Sequence, residues 1–276
     1  MRRILHWEAA SKRDFKSFPV PVQKDFGVAL FVVQLGGMPE GIKAWRGLGP
    51  AVYQLSEEFL GDAYRAVFTL RVPECVHLLH AFRKKSATGI ATPLHEVQLV
   101  EHRLKAVLTR TSRNEVREME REEIACSTGT ENVLHDLDFP DAEDLSVKAA
   151  LALQMNREID RRGLGQQEVA AITGMTQPKV SQVRRYKLQN ISLERLLHAL
   201  VALDQRVEIN VAPARRARPA AISVGGWGMT SSAKIAVKEM KVPNAATRRA
   251  RAELEAGTGR RAKSVDALLR SLNTGD

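Results

Sequence analysis

Residues 80–96 read HAFRKKSATGIATPLHE and set Arg83, Lys84 and Lys85 between two histidines, His80 and His95. Side chains of these types suit transesterification of a phosphodiester. RNA brings its own nucleophile, the 2′-OH. A base must take that proton, cations must hold the charge of the phosphorane, and an acid must protonate the leaving oxygen. Arginine and lysine supply the cations, histidine titrates near neutrality, and the chemistry needs no metal or other cofactor. Arg65 adds a further cation, with Lys43 and Arg46 as outer phosphate contacts. Strand alternation puts His80 on the face of Phe82 and Arg83 on the other, so His80 is either an acid/base group or a core histidine. His95 follows a helix start and is the more exposed candidate. His77 and His80, three apart on a strand, are expected on opposite faces, which argues against a metal pair.

The elements that must position these groups are legible around them. Within residues 11–35, Val22, Phe26, Ala29, Leu30 and Val33 recur at helical spacing. GGMPEG is a turn. AVYQLSE, YRAVFTLR and CVHLLHAF are strand candidates, rich in β-branched and aromatic residues. TPLHEVQLVEHRLKAVL is a closing helix, with Thr92 as N-cap and Pro93 at the first helical position. Residues 1–110 are therefore expected to form an α+β domain, a small antiparallel sheet with helices.

Three separated motifs carry a resemblance: Lys43-Ala-Trp-Arg46-Gly-Leu-Gly, Asp62-Ala-Tyr-Arg65-Ala-Val-Phe, and His80 through Lys85 with the run to His95-Glu96. Over roughly residues 10–108 they resemble the phage-derived HigB branch of the RelE/ParE toxin superfamily. The resemblance implies an RNase-fold toxin that cuts mRNA, often on the ribosome. RelE-type enzymes commonly carry a tyrosine near the catalytic end, and none follows Tyr64 in this module. Either His95 substitutes or the activity differs. The ParE branch poisons gyrase instead, and the cation-rich HAFRKKS strand favours the RNase branch.

The chain has 276 residues and a net charge of +10, with a pI near 9.9. Such a basic balance points to a polyanionic partner. The charge is divided: residues 1–110 carry +6, 111–146 carry −8, 147–212 carry +4 and 213–276 carry +8. The acidic block is either a solvated linker or a cover for a basic surface. Two cysteines, Cys75 and Cys126, make neither a disulfide framework nor a metal cluster and fit a reducing cytosol. No apolar run is long enough for a signal peptide or a membrane span, so a cytoplasmic protein without membrane partners is expected.

From Ser146 the pattern becomes helical. VKAALALQMNREIDRRG is amphipathic and stops at Gly163. LGQQEVAAITGMTQPKVSQVRRYKLQNISLERLLHALVAL follows, and over roughly residues 145–212 it resembles the Cro/repressor helix-turn-helix family in its HigA antitoxin version. Gln166 opens the first helix, Gly174 makes the turn, and Thr176 caps the second. The resemblance implies a second helix in the major groove, with Gln166, Thr176, Gln177, Lys179, Ser181, Gln182, Arg184 and Arg185 toward operator DNA in a homodimer. Gly165 stands where a threonine cap is usual and Thr173 where an apolar residue is usual. VEINVA at 207–212 reads as a short strand. Residues 119–146 also resemble the start of a HigA-type antitoxin, with Met119 as an internal start.

Residues 213–240 read as a flexible linker. Residues 241–276 carry two short helices, the second with a Val265, Leu268, Leu269, Leu272 stripe. The tail resembles the toxin-wrapping part of RelB/DinJ antitoxins, which implies binding to a RelE-type toxin; alternatively it is a disordered basic tail. The expected protein is a toxin–antitoxin fusion, an mRNA endoribonuclease restrained in cis by an autorepressing antitoxin. A regulator carrying a dead toxin relic and a gyrase poison are the alternatives.

Overall fold

The computed structural model describes residues 2–84, 92–114 and 126–209. The chain divides into two units, residues 1–227 and 228–276, and the described residues lie in the first. Lys85, the stretch 115–125 with Met119, and the whole of the expected linker and tail lie outside the described residues.

The chain enters through β1 (Ile4–Glu8), α1 (Ser11–Lys16) and α2 (Val20–Gln34). It continues through β2 (Lys43–Ala44), β3 (Val52–Phe59), β4 (Asp62–Thr69), β5 (Cys75–Lys84) and α3 (Leu94–Asn114). These elements and β6 (Cys126–Thr128) form a six-stranded sheet in the order β2-β3-β4-β5-β1-β6. The expected α+β region is present, but its sheet is mixed rather than antiparallel. β1 pairs parallel to β5, with His6 opposite His77. The sequence reading missed β1 because the strand is only five residues long, with Leu5 and Trp7 alone turned into the core.

β3 and β4 join through Leu60 and Gly61, both at positive φ (51° and 83°), the backbone of a two-residue hairpin turn. β5 carries a bulge: Val67 pairs with His80 but Phe68 with Leu78, leaving Leu79 extra. The bulge resets the alternation. Cys75, His77 and Leu79 before it, and His80 and Phe82 after it, all face α3, whereas Val76, Leu78 and Ala81 pack into the core on the opposite face. His77 and His80 therefore share a face, against the expectation from spacing.

The acidic stretch is not a free linker where it is described. After β6, which pairs antiparallel with β1, come α4 (Val133–Asp136) and α5 (Ala142–Arg162), packed on α2. α2 is consequently buried on all sides; Phe26, Val28, Leu30, Phe31, Val32 and Val33 are all under 4% exposed. Gly27 lets α4 come close, since a Cβ there would lie 2.9 Å from Leu134 Cδ2. Gln34, fully buried, ties the junction. Its amide donates to the Arg3 and Thr130 carbonyls and accepts from the Val133 N–H, at 2.9–3.0 Å.

The helical region continues with α6 (Gln166–Thr173), α7 (Gln177–Arg184) and α8 (Leu193–Ala202). Its core, including Met155, Val169, Val180, Val183, Leu188 and Leu196, runs without a break into the core under the sheet. Gly174 takes the left-handed turn (φ 64°) between α6 and α7. Gly165 replaces a side-chain cap by donating its N–H to Glu168 Oε2 at 2.7 Å. The Thr173 hydroxyl is satisfied by the Val169 carbonyl at 2.7 Å, so neither departure leaves a polar group stranded. Residues 207–209 form no strand, and the rest of the expected 207–212 strand lies outside the described residues. Among the described residues no helix is long and apolar enough to cross a membrane.

Candidate functional site

β2, the end of α3 nearest its start, and the middle of β4 enclose a cleft of about 670 Å³. It is lined by Lys43, Arg46, Gln54, Arg65, Thr92 and Val97, with Trp45 at its wall. Cations from two separate segments, Lys43 with Arg46 and Arg65, thus meet on one surface. The hairpin register explains Arg65: it stands opposite Phe82 and so faces the α3 side. Its Nη1 donates to Thr92 Oγ1, while its Nε is buried without a hydrogen-bond partner among the described residues. Lys43 and Arg46 are exposed. A pocket rimmed by cations is electrostatically suited to a phosphate oxygen.

The other expected members are placed differently. Arg83 points to the opposite face, half exposed and 3.5 Å from Asp62 Oδ2. Lys84 is buried, at 9% exposure, opposite Ala63. His80 is 5% exposed and both ring nitrogens are engaged: Nε2 lies 2.6 Å from Glu96 Oε2, and Arg103 Nη1 donates to Nδ1 at 3.1 Å. Burial pushes its pKa below 6.5, with Glu96 opposing. His80 is therefore a core histidine rather than a group that meets substrate. Its partner Glu96 also holds His95: Glu96 Oε1 is 3.2 Å from His95 Nε2. The exposed His95 ring is thus oriented by a carboxylate that is itself held by the buried His80, whose other nitrogen Arg103 engages. That is the logic by which an acid/base group is positioned.

Sequence reasoning missed a second basic groove of about 580 Å³, lined by Lys12, Arg13, Lys16 and Ser17 of α1 and its exit. Its only advance signal was the KR pair of SKRDFK. Here the acidic stretch does meet a basic surface: Asp138 pairs with Lys16 at 2.7 Å and Asp141 with Lys24 at 2.6 Å. Lys16 holds the Asp138 carboxyl below the usual aspartate range. The described part of that stretch adds β6 to the edge of the sheet opposite β2. Among the described residues, those lining the Arg65 cleft all belong to the first 110.

On the helix-turn-helix, Gln166, Thr176, Gln177 and Arg185 are exposed and Lys179, Ser181 and Gln182 half-buried, on α6, α7 and the residues flanking them. Thr176 occupies the N-cap position of α7 without a side-chain capping bond, leaving its hydroxyl unspoken for by the helix. Arg184 departs from the rest: its guanidinium is 18% exposed and bridges Asp160, at 2.7 Å, and Glu40. Lys187 likewise reaches Glu57, and Gln189 donates to Asp25 at 3.2 Å.

A third constellation brings together residues of metal-ligating types that cysteine count alone did not suggest. His6, Cys75 and His77 hold donor atoms within 4.8 Å of one another, with Cys126 beside them. Spacing gave no signal, because the donors come from three strands joined only by the fold. Burial, then Glu8, pushes the Cys126 thiol up to about 11, and burial lowers His6. Burial alone would raise Glu8, but hydrogen bonds from His77 and Arg110 outweigh it and hold the carboxyl low.

Residues 13–105 match a family described as phage derived protein Gp49-like, and residues 133–212 match a helix-turn-helix domain. No curated protein matches the chain. One solved structure, "Putative XRE Family Transcriptional Regulator", is 50% identical over 32% of this chain and 99% of its own, with a TM-score of 0.30. One polypeptide thus carries a stretch similar to a Gp49-like, phage-derived family followed by a stretch similar to a helix-turn-helix domain.

Proposed function

We propose that the N-terminal module is a metal-independent mRNA endoribonuclease of the HigB kind, held in check by the HigA-like half of the same chain, which also represses its own operon. The observation that carries this reading is the convergence of Lys43, Arg46 and Arg65 on one cleft. In it Arg65 stabilises the charge of the phosphorane and Lys43 and Arg46 hold flanking phosphates, while His95, between the lining residues Thr92 and Val97 in sequence, reaches in to exchange the proton, oriented by Glu96. His80, Arg103 and Lys84 position that machinery from the buried side, while Arg83 lies on the other face and serves RNA, if at all, away from the scissile bond.

Restraint follows from covering rather than plugging. The antitoxin half occupies the outer face of α2 and the β1 edge; a ribosome-sized partner approaching those surfaces is excluded even with the cleft open. A second reading, a DNA-binding regulator with an inactive relic, is favoured by one observation: among the described residues the cleft lining includes no histidine or carboxylate. Inducible expression of residues 1–110, with mapping of new mRNA 5′ ends, separates the two. Growth arrest with new ends, both lost in Arg65→Ala, supports the endoribonuclease. Normal growth with intact mRNA, from a fragment that accumulates folded, supports the relic. On the other half, α7 presents Gln177, Lys179, Ser181, Gln182 and Arg185 to operator DNA, in a homodimer.

A further inference from the structure

Three strands bring four metal-type donors to the edge of the sheet on its α3 face. His6 comes from β1, Cys75 and His77 from β5, and Cys126 from β6; the register sets His6 opposite His77, Ile4 opposite Cys75 and Glu8 opposite Cys126. The imidazoles of His6 and His77 stack at 4.7 Å with 13° between planes. Cys126 Sγ lies 3.8 Å from His6 Nδ1.

The arrangement around His77 is the informative one. Its ring is 5% exposed and its Nδ1 hydrogen-bonds Glu8 Oε1 at 2.8 Å, an acceptor, which places the proton on Nδ1. Nε2 therefore carries a lone pair, and it is buried with no hydrogen-bond partner among the described residues. A core histidine normally has both nitrogens satisfied, as His80 does. A ligating histidine has one nitrogen on the ion and the other N–H on a carboxylate. Glu8, 2% exposed, is in turn held by Arg110 Nη2 at 2.8 Å. Neither cysteine is in a disulfide.

We propose that His6, Cys75, His77 and Cys126 form a tetrahedral Cys2His2 site for a borderline-soft divalent ion of the zinc class, with Glu8 and Arg110 orienting His77 from behind. Two thiolates neutralise the dication and Arg110 neutralises Glu8, so the filled site leaves no net charge in the protein interior. Bond lengths of about 2.0–2.3 Å separate tetrahedral ligand atoms by about 3.3–3.8 Å, so His6, Cys75 and His77, whose donor atoms lie within 4.8 Å of one another, close by about 1 Å of side-chain rotation, and Cys126 Sγ, 3.8 Å from His6 Nδ1, joins them by turning from Glu8 Oε1, 3.5 Å away. Four protein ligands leave no open position, which makes the site structural rather than catalytic. It sits at the opposite end of the sheet from β2 and the Arg65 cleft. Cys126 belongs to the strand that opens the antitoxin half, and the other three ligands to the toxin module. The ion accordingly fastens one half of the fusion to the other.

Cobalt(II) added to the reduced, metal-stripped full chain tests this directly. Expected are one equivalent bound, thiolate-to-cobalt charge-transfer absorption, the intense d–d bands of a tetrahedral ion, and displacement by zinc. The chain has only two cysteines, so any thiolate band reports on this pair. His77→Gln is expected to lose the tetrahedral spectrum, while Glu8→Gln keeps it and binds about 10–100-fold more weakly. A folded wild-type chain that gives no thiolate band overturns the proposal. So does a spectrum and affinity unchanged in both His6→Gln and His77→Gln.

Discussion

The guanidinium of Arg184, at the last residue of α7, is bound to Glu40 of the N-terminal module. The neighbouring Arg185 is exposed. Two consecutive arginines thus do different work: one docks the two halves of the chain, the other remains available to a polyanion. Lys187 likewise reaches Glu57 and Asp25 of the N-terminal module, with its side chain still partly exposed.

That division has a measurable consequence. Arg185→Ala is expected to weaken binding to the DNA upstream of the chain's own reading frame by about tenfold or more, the loss of roughly 1–3 kcal/mol that a base or close phosphate contact carries. Arg184→Ala is expected to leave the salt dependence of that binding unchanged and to lower stability by about 1 kcal/mol or less, because Glu40 and Asp160 are half exposed. Fluorescence anisotropy across a salt series checks both. A weaker salt dependence in Arg184→Ala, with Arg185→Ala unaffected, would reverse the assignment.

Gln34 joins three backbone groups across the junction, and Gln34→Leu strands the buried Val133 N–H along with two carbonyls. The expected cost is about 2–4 kcal/mol. It is read from the urea midpoint, at unchanged slope if the N-terminal and helix-turn-helix halves unfold together. A midpoint within error of wild type would show that the junction is not held by this amide.

His80 gives the chain a pH response of known sign. Its folded pKa lies below 6.5, chiefly through burial, so between the two values the unfolded state holds a proton that the folded state lacks. Stability contributed by the neutral ring is complete above 6.5, and it is lost as pH falls through 6.5 and toward the lower folded value. Glu96 and Asp14 oppose this shift and Arg103 adds to it. Chemical denaturation from about pH 8 to about pH 5 should show wild type losing more stability than His80→Gln. Parallel curves for the two proteins would contradict the placement of His80.

What the sequence disclosed, and what it hid, follows from the range of the interactions. α7 with its Gly174 turn, and α3 opening around Pro93, announce themselves through local rules of spacing and capping. So do Lys43, Arg46 and Arg65 as cations, although nothing local says that they share a cleft. The bulge at Leu79 is invisible to alternation, yet it decides which face His77 and His80 occupy. β1 and β6 are short and owe their existence to each other and to β5. For that reason the His6, Cys75, His77 and Cys126 grouping, drawn from both, could not be read from ligand spacing. α2 looked amphipathic because helical periodicity picks out its sheet-facing stripe. Its other faces are apolar because α4 and α5 cover them.

Binding of a single-stranded RNA oligonucleotide to the full chain, with and without Lys43→Ala, Arg46→Ala and Arg65→Ala combined, tests most directly whether this cleft engages RNA. Expected is salt-sensitive binding that falls about tenfold or more in the triple variant, with binding to DNA through the helix-turn-helix unchanged. Equal RNA affinity in the two proteins would contradict it and leave the DNA-binding half as the working part of the chain.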